Sequence, residues 1–307
     1  LTLKLCLKAK YVSEDPALRL RYCRQLGFGA TQESAKSIPA AVARGWPTPE
    51  EVRALKAPFQ DAGVEVVALE PVQEPLRSWA EDTPEGRASF DVFARHLDAA
   101  GGAGIPCVTL HPPLDSPRGA AEAEEQFQRN CDFYRRAAAG ARRAGTKLAT
   151  HSPYGVRRDG RLDAAGRAQL SLSKPLWAGQ EFGALFDAVP DPENGMIYCF
   201  GCMVMGAAPG TDPLAEMPRF VQRTFFVHVR DVVSNPDGSF AEVFPGRGDV
   251  RPDLAIRRLW ELGYRGPITP EHMPVLEGDG YAGPLAVGYA GGWSESVLND
   301  LRRSPAA

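Results

Sequence analysis

Four side chains stand at the ends of four successive apolar segments. His151 follows Lys147-Leu-Ala-Thr150, Cys199 closes Gly195-Met-Ile-Tyr-Cys199, His228 follows Phe225-Phe-Val227, and Glu271 follows Pro267-Ile-Thr-Pro270. The intervals between them are 48, 29 and 43 residues, each about the length of one strand-plus-helix unit. Imidazole, thiolate and carboxylate together suit a transition-metal ion far better than calcium or magnesium. Three or four such ligands with one position open are what Lewis-acid catalysis needs. A lone His is more often a hydrogen-bonded structural residue, and a lone Cys is often core. Four consecutive strand ends that agree are a different matter.

Other groups gather around these four. His272 follows Glu271 directly, and adjacent residues beyond a strand point in different directions. If Glu271 holds the ion, His272 is free to act as an acid or base near neutral pH. Tyr281, in the Gly-Asp-Gly-Tyr loop, is a second proton-transfer candidate. Glu70 and His111 end the third and fourth apolar segments and could bind substrate hydroxyls; a structural salt bridge or hydrogen bond is the plainer reading of each. Cys202, three residues past Cys199 in what reads as a loop, competes as the sulfur ligand. A redox pair of the two would need a thioredoxin-like context, which is missing.

The elements that must position these groups follow one rhythm. Strands are expected at Leu3–Leu7, Phe28–Thr31, Val64–Leu69, Ile105–Leu110, Lys147–Thr150, Gly195–Cys199, Thr224–Val229 and Pro267–Thr269. Helices are expected between them. Asp15-Pro16, Thr48-Pro49, Thr83-Pro84 and Asp212-Pro213 each read as an N-cap followed by proline in the first turn. Eight strands alternating with helices predict a (β/α)8 barrel as one domain over residues 1–307, with the chemistry at the C-terminal rim of the strands. A doubly wound sheet would carry a glycine-rich phosphate turn after its first strand, and none is present.

Composition narrows the class. The 307 residues are 44% hydrophobic and 24% charged, with a formal net charge of -3, which is globular and lacks the strong basic patch of a nucleic-acid binder. No apolar run approaches the roughly 18 residues of a membrane span. The opening Leu-Thr-Leu-Lys-Leu-Cys alternates like a strand and lacks the pattern of a signal peptide. Six scattered cysteines read as buried free thiols, so a cytoplasmic location is expected.

At these residues the chain resembles the mannonate dehydratases, within the xylose isomerase-like barrels. The resemblance rests on Tyr-Cys199-Phe-Gly201, His228-Val-Arg230, Phe240-Ala-Glu242, Gly248-Asp249, Glu271-His272, Gly280-Tyr281 and Gly288-Tyr289. It extends more faintly to Trp46-Pro47 and the helix after it. The resemblance implies a (β/α)8 barrel that removes water from a sugar acid to give a 2-keto-3-deoxy acid. It implies a divalent ion, manganese or iron, held by His151, Cys199, His228 and Glu271. His272 and Tyr281 match residues of proton transfer, and Arg230 joins Glu70 and His111 as an expected substrate-binding residue. A sugar isomerase or epimerase on the same barrel is the alternative, although it usually has carboxylate-rich ligands. The expected partner is a small sugar acid or polyol, and symmetric oligomers are the family habit. The chain departs from the family where Glu271 replaces Asp, Pro245 replaces His and Thr269 replaces Arg. The ligands persist while substrate-facing positions have changed.

Overall fold

The structure, a computed structural model, describes residues 3–73, 77–113, 120–152, 179–207, 211–234, 240–280 and 283–303. Among the described residues ten strands are formed: β1 Lys4–Lys8, β2 Ala30–Ser34, β3 Glu65–Glu70, β4 Cys107–Leu110, β5 Lys147–His151, β6 Asn194–Cys199, β7 Thr224–Val229, β8 Asp231–Ser234, β9 Phe240–Val243 and β10 Pro267–Pro270. Eight of them close a barrel in the order β1-β10-β7-β6-β5-β4-β3-β2, every pair parallel. The (β/α)8 expectation is therefore met.

The helix starts follow from their caps. Asp15 accepts from the backbone N–H of Ala17 and Pro16 occupies the first turn of Pro16–Leu26. Thr48 and Glu51 form a reciprocal capping box at the head of Pro49–Asp61. Thr83 and Asp212 cap Pro84–Gly102 and Pro213–Phe220 in the same manner. Each cap satisfies backbone donors that the first turn cannot. The strands then receive the chain at a fixed height, which matters for everything at the rim.

Two layers of packing hold the barrel. A large apolar layer fills the space between strands and helices, including Phe93, Phe133, Phe182, Phe220 and Leu259, each fully buried. A small inner cluster fills the barrel itself: Cys6, Ala30, Val67, Ala68, Cys107, Ala149, Ile197 and Phe226. Residues two apart in a strand share a face. One step up from Cys6, Ala149, Ile197 and Phe226 therefore stand Lys8, His151, Cys199 and His228. The inner apolar plug thus becomes the floor of a polar layer. All six cysteines are buried and free.

Two local expectations change, and one element is additional. The second strand runs Ala30–Ser34 rather than 28–31 because its polar residues are paired inside: Gln32 donates to Thr109 Oγ1 at 3.0 Å, and Glu33 is ion-paired with Arg19. Cys202 lies in a helix, Phe200–Gly206, rather than in a loop. An antiparallel hairpin, β8 with β9, follows β7. Its base is fixed by Asp231, whose carboxylate accepts from the N–H groups of Gly246, Gly248 and Val250 at 2.9, 2.9 and 3.1 Å. Among the described residues no helix is long and apolar enough to cross a membrane.

Candidate metal centre and active site

His151, Cys199, His228 and Glu271 converge on one point, and their potential ligand atoms all lie within 4.8 Å of one another. Register explains why. Cys199 pairs with His228, and His228 pairs with Thr269, two residues before Glu271. His151 ends β5 beside Ile197, two residues before Cys199. Four neighbouring strands therefore deliver their inward ends at one level. Glu271 is anchored further by its backbone N–H to the Val229 carbonyl at 3.0 Å.

All four side chains are buried. Neither ring nitrogen of His151 or of His228, nor Glu271 Oε2, makes a well-formed hydrogen bond among the described residues. Buried polar atoms are almost always satisfied, so a cluster of such atoms facing each other fits an ion. His151 Nε2 is 3.4 Å from Glu271 Oε2, and His228 Nδ1 faces the same oxygen. The imidazole rings stand 4.9 Å apart, and Phe226 meets His228 edge-on from below at 5.5 Å. Two imidazoles, one thiol and one carboxyl oxygen could hold a divalent transition-metal ion.

Electrostatics in the absence of an ion are consistent with such a pocket. Burial opposes charge on Glu271, but His228, Lys8 and His151 outweigh it and hold the carboxyl well below its usual range. Burial pushes His228 well down, against the pull of Glu271. Burial also opposes a proton on His151, yet Glu271 and Cys199 prevail and raise it to about 9. Burial drives the Cys199 thiol well up. Cys202 lies outside the four-donor group; its thiol shares a hydrogen bond with that of Cys199, and its sulfur accepts from Arg230 Nη1 at 3.5 Å.

The remaining expected residues distribute around this centre. His272 Nδ1 is 2.8 Å from Glu242 Oε1, and its Nε2 is 3.8 Å from Glu271 Oε1. His111 follows β4, half-buried, with its ring 4.9 Å from that of His151. Glu70 ends β3, half-buried, near enough to Lys8 to strengthen that ammonium. Arg230 is 1% exposed, with its guanidinium donating to Glu242 at 2.6 Å. Gly201 makes room for it, since a β-carbon there would stand 2.9 Å from Arg230 Cγ. Tyr281 lies outside the described residues.

Sequence reasoning missed Lys8 and Tyr11, and it named Glu242 only within a motif, with no role of its own. Lys8 ends β1, is 6% exposed and is ion-paired with Glu271 Oε1. Tyr11 donates to the same oxygen at 3.1 Å. Glu242, on β9, joins Arg230 to His272. Lys8 was readable in principle as a charged residue on the inward face of an apolar strand. Tyr11 and Glu242 depend on a short helix and a hairpin that periodicity does not announce.

A closed parallel barrel with this rim defines the class, and comparison agrees. The family model described as Xylose isomerase-like TIM barrel matches residues 20–281, and the chain belongs to that family. Within it the chain is similar to mannonate dehydratase 1 of Bacillus licheniformis, at 25% identity over 281 residues covering 82% of this chain and 73% of that protein. The crystal structure of mannonate dehydratase from Streptococcus suis serotype 2 has a TM-score of 0.75 at 19% identity, covering 99% of this chain and 96% of that one. The 3-keto-D-glucoside 4-epimerase of E. coli has a TM-score of 0.67 at 16% identity, covering 96% and 100%. These two structures share the fold.

Proposed function

We propose that this protein is a divalent-metal-dependent hydro-lyase that removes water from a sugar acid to give a 2-keto-3-deoxy acid. The supporting observation is the buried His151–Cys199–His228–Glu271 donor set with the His272–Glu242 pair beside it. Likeness to mannonate dehydratase in sequence favours that reaction class. Manganese or iron is the ion we assign, and when bound it would supply Lewis acidity toward a substrate carboxylate and an adjacent hydroxyl.

The protein's own groups then divide the proton work. Glu242 takes the Nδ1 side of His272, which leaves Nε2 with a lone pair directed toward the centre. Nε2 accepts the α-proton, and the imidazolium so formed is stabilised by Glu242. A second group gives a proton to the departing β-hydroxyl, and Tyr281 is the residue we assign to it. Loss of that hydroxyl as water leaves an enol, which takes a proton at carbon and becomes the ketone. Glu70 and His111 face substrate hydroxyls, and Arg230 acts through Glu242.

An epimerase is the second reading, favoured by the fold shared with the E. coli epimerase. Incubating the manganese-loaded protein with a panel of sugar acids in deuterated water separates the two. Water loss with one deuterium at the new methylene is the expected result. Deuterium uptake without loss of water would overturn the lyase in favour of epimerisation. His228→Ala should lose both bound metal and turnover, and normal metal content in that variant would sink the assigned centre.

A further inference from the structure

We propose that Lys8 and Tyr11 are a positioning pair that occupies one oxygen of Glu271, so that this residue meets the ion through its other oxygen alone. The inference rests on the metal-centre reading above and concerns how the carboxylate is used.

The two oxygens of Glu271 have separate surroundings. Oε2 faces His151 and His228. Oε1 is bonded by the Lys8 ammonium and by the Tyr11 hydroxyl, the latter at 3.1 Å, and it is the oxygen turned toward His272. The fold builds this division. Leu5 pairs with Ile268 across β1 and β10, and three residues further along the two strands stand Lys8 and Glu271. The short helix Ala9–Val12 starts immediately after Lys8 and returns Tyr11 over it, with Lys8 Nζ 5.3 Å from the ring centroid.

Moving Oε1 onto the ion would leave a buried ammonium without its carboxylate, and an unpaired buried charge is strongly disfavoured. Chelation by both oxygens is thereby opposed, and the coordination position it would occupy stays open for substrate oxygens. The length of Glu matters here. An Asp carboxylate, one methylene shorter, would draw back from either the imidazoles or Lys8.

The test uses the whole 307-residue chain titrated with Co2+. A thiolate-to-cobalt charge-transfer band in the near ultraviolet reports that the ion sits on Cys199. The intensity of the visible d–d bands reports coordination number, since it falls as ligands are added. Lys8→Met should keep the charge-transfer band and lose d–d intensity as Glu271 chelates. Lys8→Arg, which retains a donor, should stay near the wild-type spectrum. Charge-transfer and d–d bands in Lys8→Met that superimpose on the wild type would overturn the proposal. Should Lys8→Met fail to fold or to bind cobalt, Tyr11→Phe removes a single hydroxyl and must show a smaller loss in the same direction; an unchanged spectrum there overturns it equally. A wild-type protein with no charge-transfer band would instead remove the metal centre itself.

Discussion

Glu242 Oε1 lies between two donors, 2.8 Å from His272 Nδ1 and 2.6 Å from Arg230 Nη2. Burial works against ionisation of this carboxyl, but His272 and Arg230 outweigh it and hold it below its usual range. Arg230 is itself buried and packed over Gly201, so the chain from guanidinium to carboxylate to imidazole has little freedom. A fixed partner on one ring nitrogen sets the tautomer and direction of the other.

Replacing Glu242 by Gln should therefore damage turnover more than binding. The expected effect is a loss of about 10²-fold in kcat, the low end of what positioned proton transfer contributes. Bound metal should be unchanged and KM little altered. Steady-state kinetics with metal analysis on the same preparation would check this. A kcat equal to the wild type would mean that His272 needs no fixed orientation.

His272 also carries backbone strain. Its φ is 54°, in the left-handed region that a side chain with a β-carbon enters at a cost. That cost is about 1–2 kcal/mol and vanishes for glycine. His272→Ala and His272→Gly remove the same imidazole, yet the glycine variant should be more stable by about 1 kcal/mol. Urea denaturation of the two, compared side by side, tests this directly. Equal stabilities would mean that the backbone relaxes out of the left-handed region once the ring is gone.

The barrel and the common level of its four candidate donors were legible because both depend on local signals. Cap-and-proline pairs such as Thr48-Pro49 mark helix starts, and short apolar runs mark strands. A residue just past such a run, such as His151 or Glu271, must fall near the rim. The register that brings Cys199 level with His228 is a property of closure, yet a regular barrel makes it predictable. What escaped notice obeyed no period. The second strand contains Thr-Gln-Glu-Ser and is buried throughout, because its polar groups find partners on other elements. Lys8 looked like the polar half of an alternating strand, when its ammonium points at a carboxylate 263 residues away. Glu242 stood in a named motif, but its place beside His272 needed a hairpin whose two strands are only four residues each.

The ion pair of Arg19 with Glu33 tests how such buried polar groups are supported. Both side chains are essentially without solvent contact. Arg19 also donates to the Ser13 carbonyl at 2.9 Å, and Glu33 accepts from Thr31 at 2.8 Å. Burial pushes the Glu33 carboxyl up even with Arg19 beside it, so without the guanidinium it would have to take a proton. Arg19→Met should cost about 3–5 kcal/mol, as removal of one partner from a buried pair does. The double variant Arg19→Met with Glu33→Leu should recover much of that loss, since it leaves no orphaned charge. Denaturant midpoints of the three proteins would decide. A double variant less stable than Arg19→Met would show that the pair contributes more than the apolar packing that replaces it.

Metal uptake should be coupled to protons, with a sign set by the donor set. In the metal-free protein His151 titrates at about 9, held there against burial by Glu271 and Cys199, so it carries a proton at neutral pH. Burial keeps the Cys199 thiol protonated as well. Because the folded His151 value is raised above its unfolded one, its contribution to the stability of the metal-free protein is complete below about pH 6.5. That contribution is lost as pH rises through about 9. An ion needs the neutral ring and the thiolate, so binding must displace both protons. Manganese affinity should therefore climb with pH between 6.5 and 8.5, with release of about two protons per ion. Calorimetric titration in two buffers of different ionisation enthalpy measures that number. Release of no protons at pH 7 would mean that neither His151 nor Cys199 ligates, and would leave His228 and Glu271 as the remaining ligands.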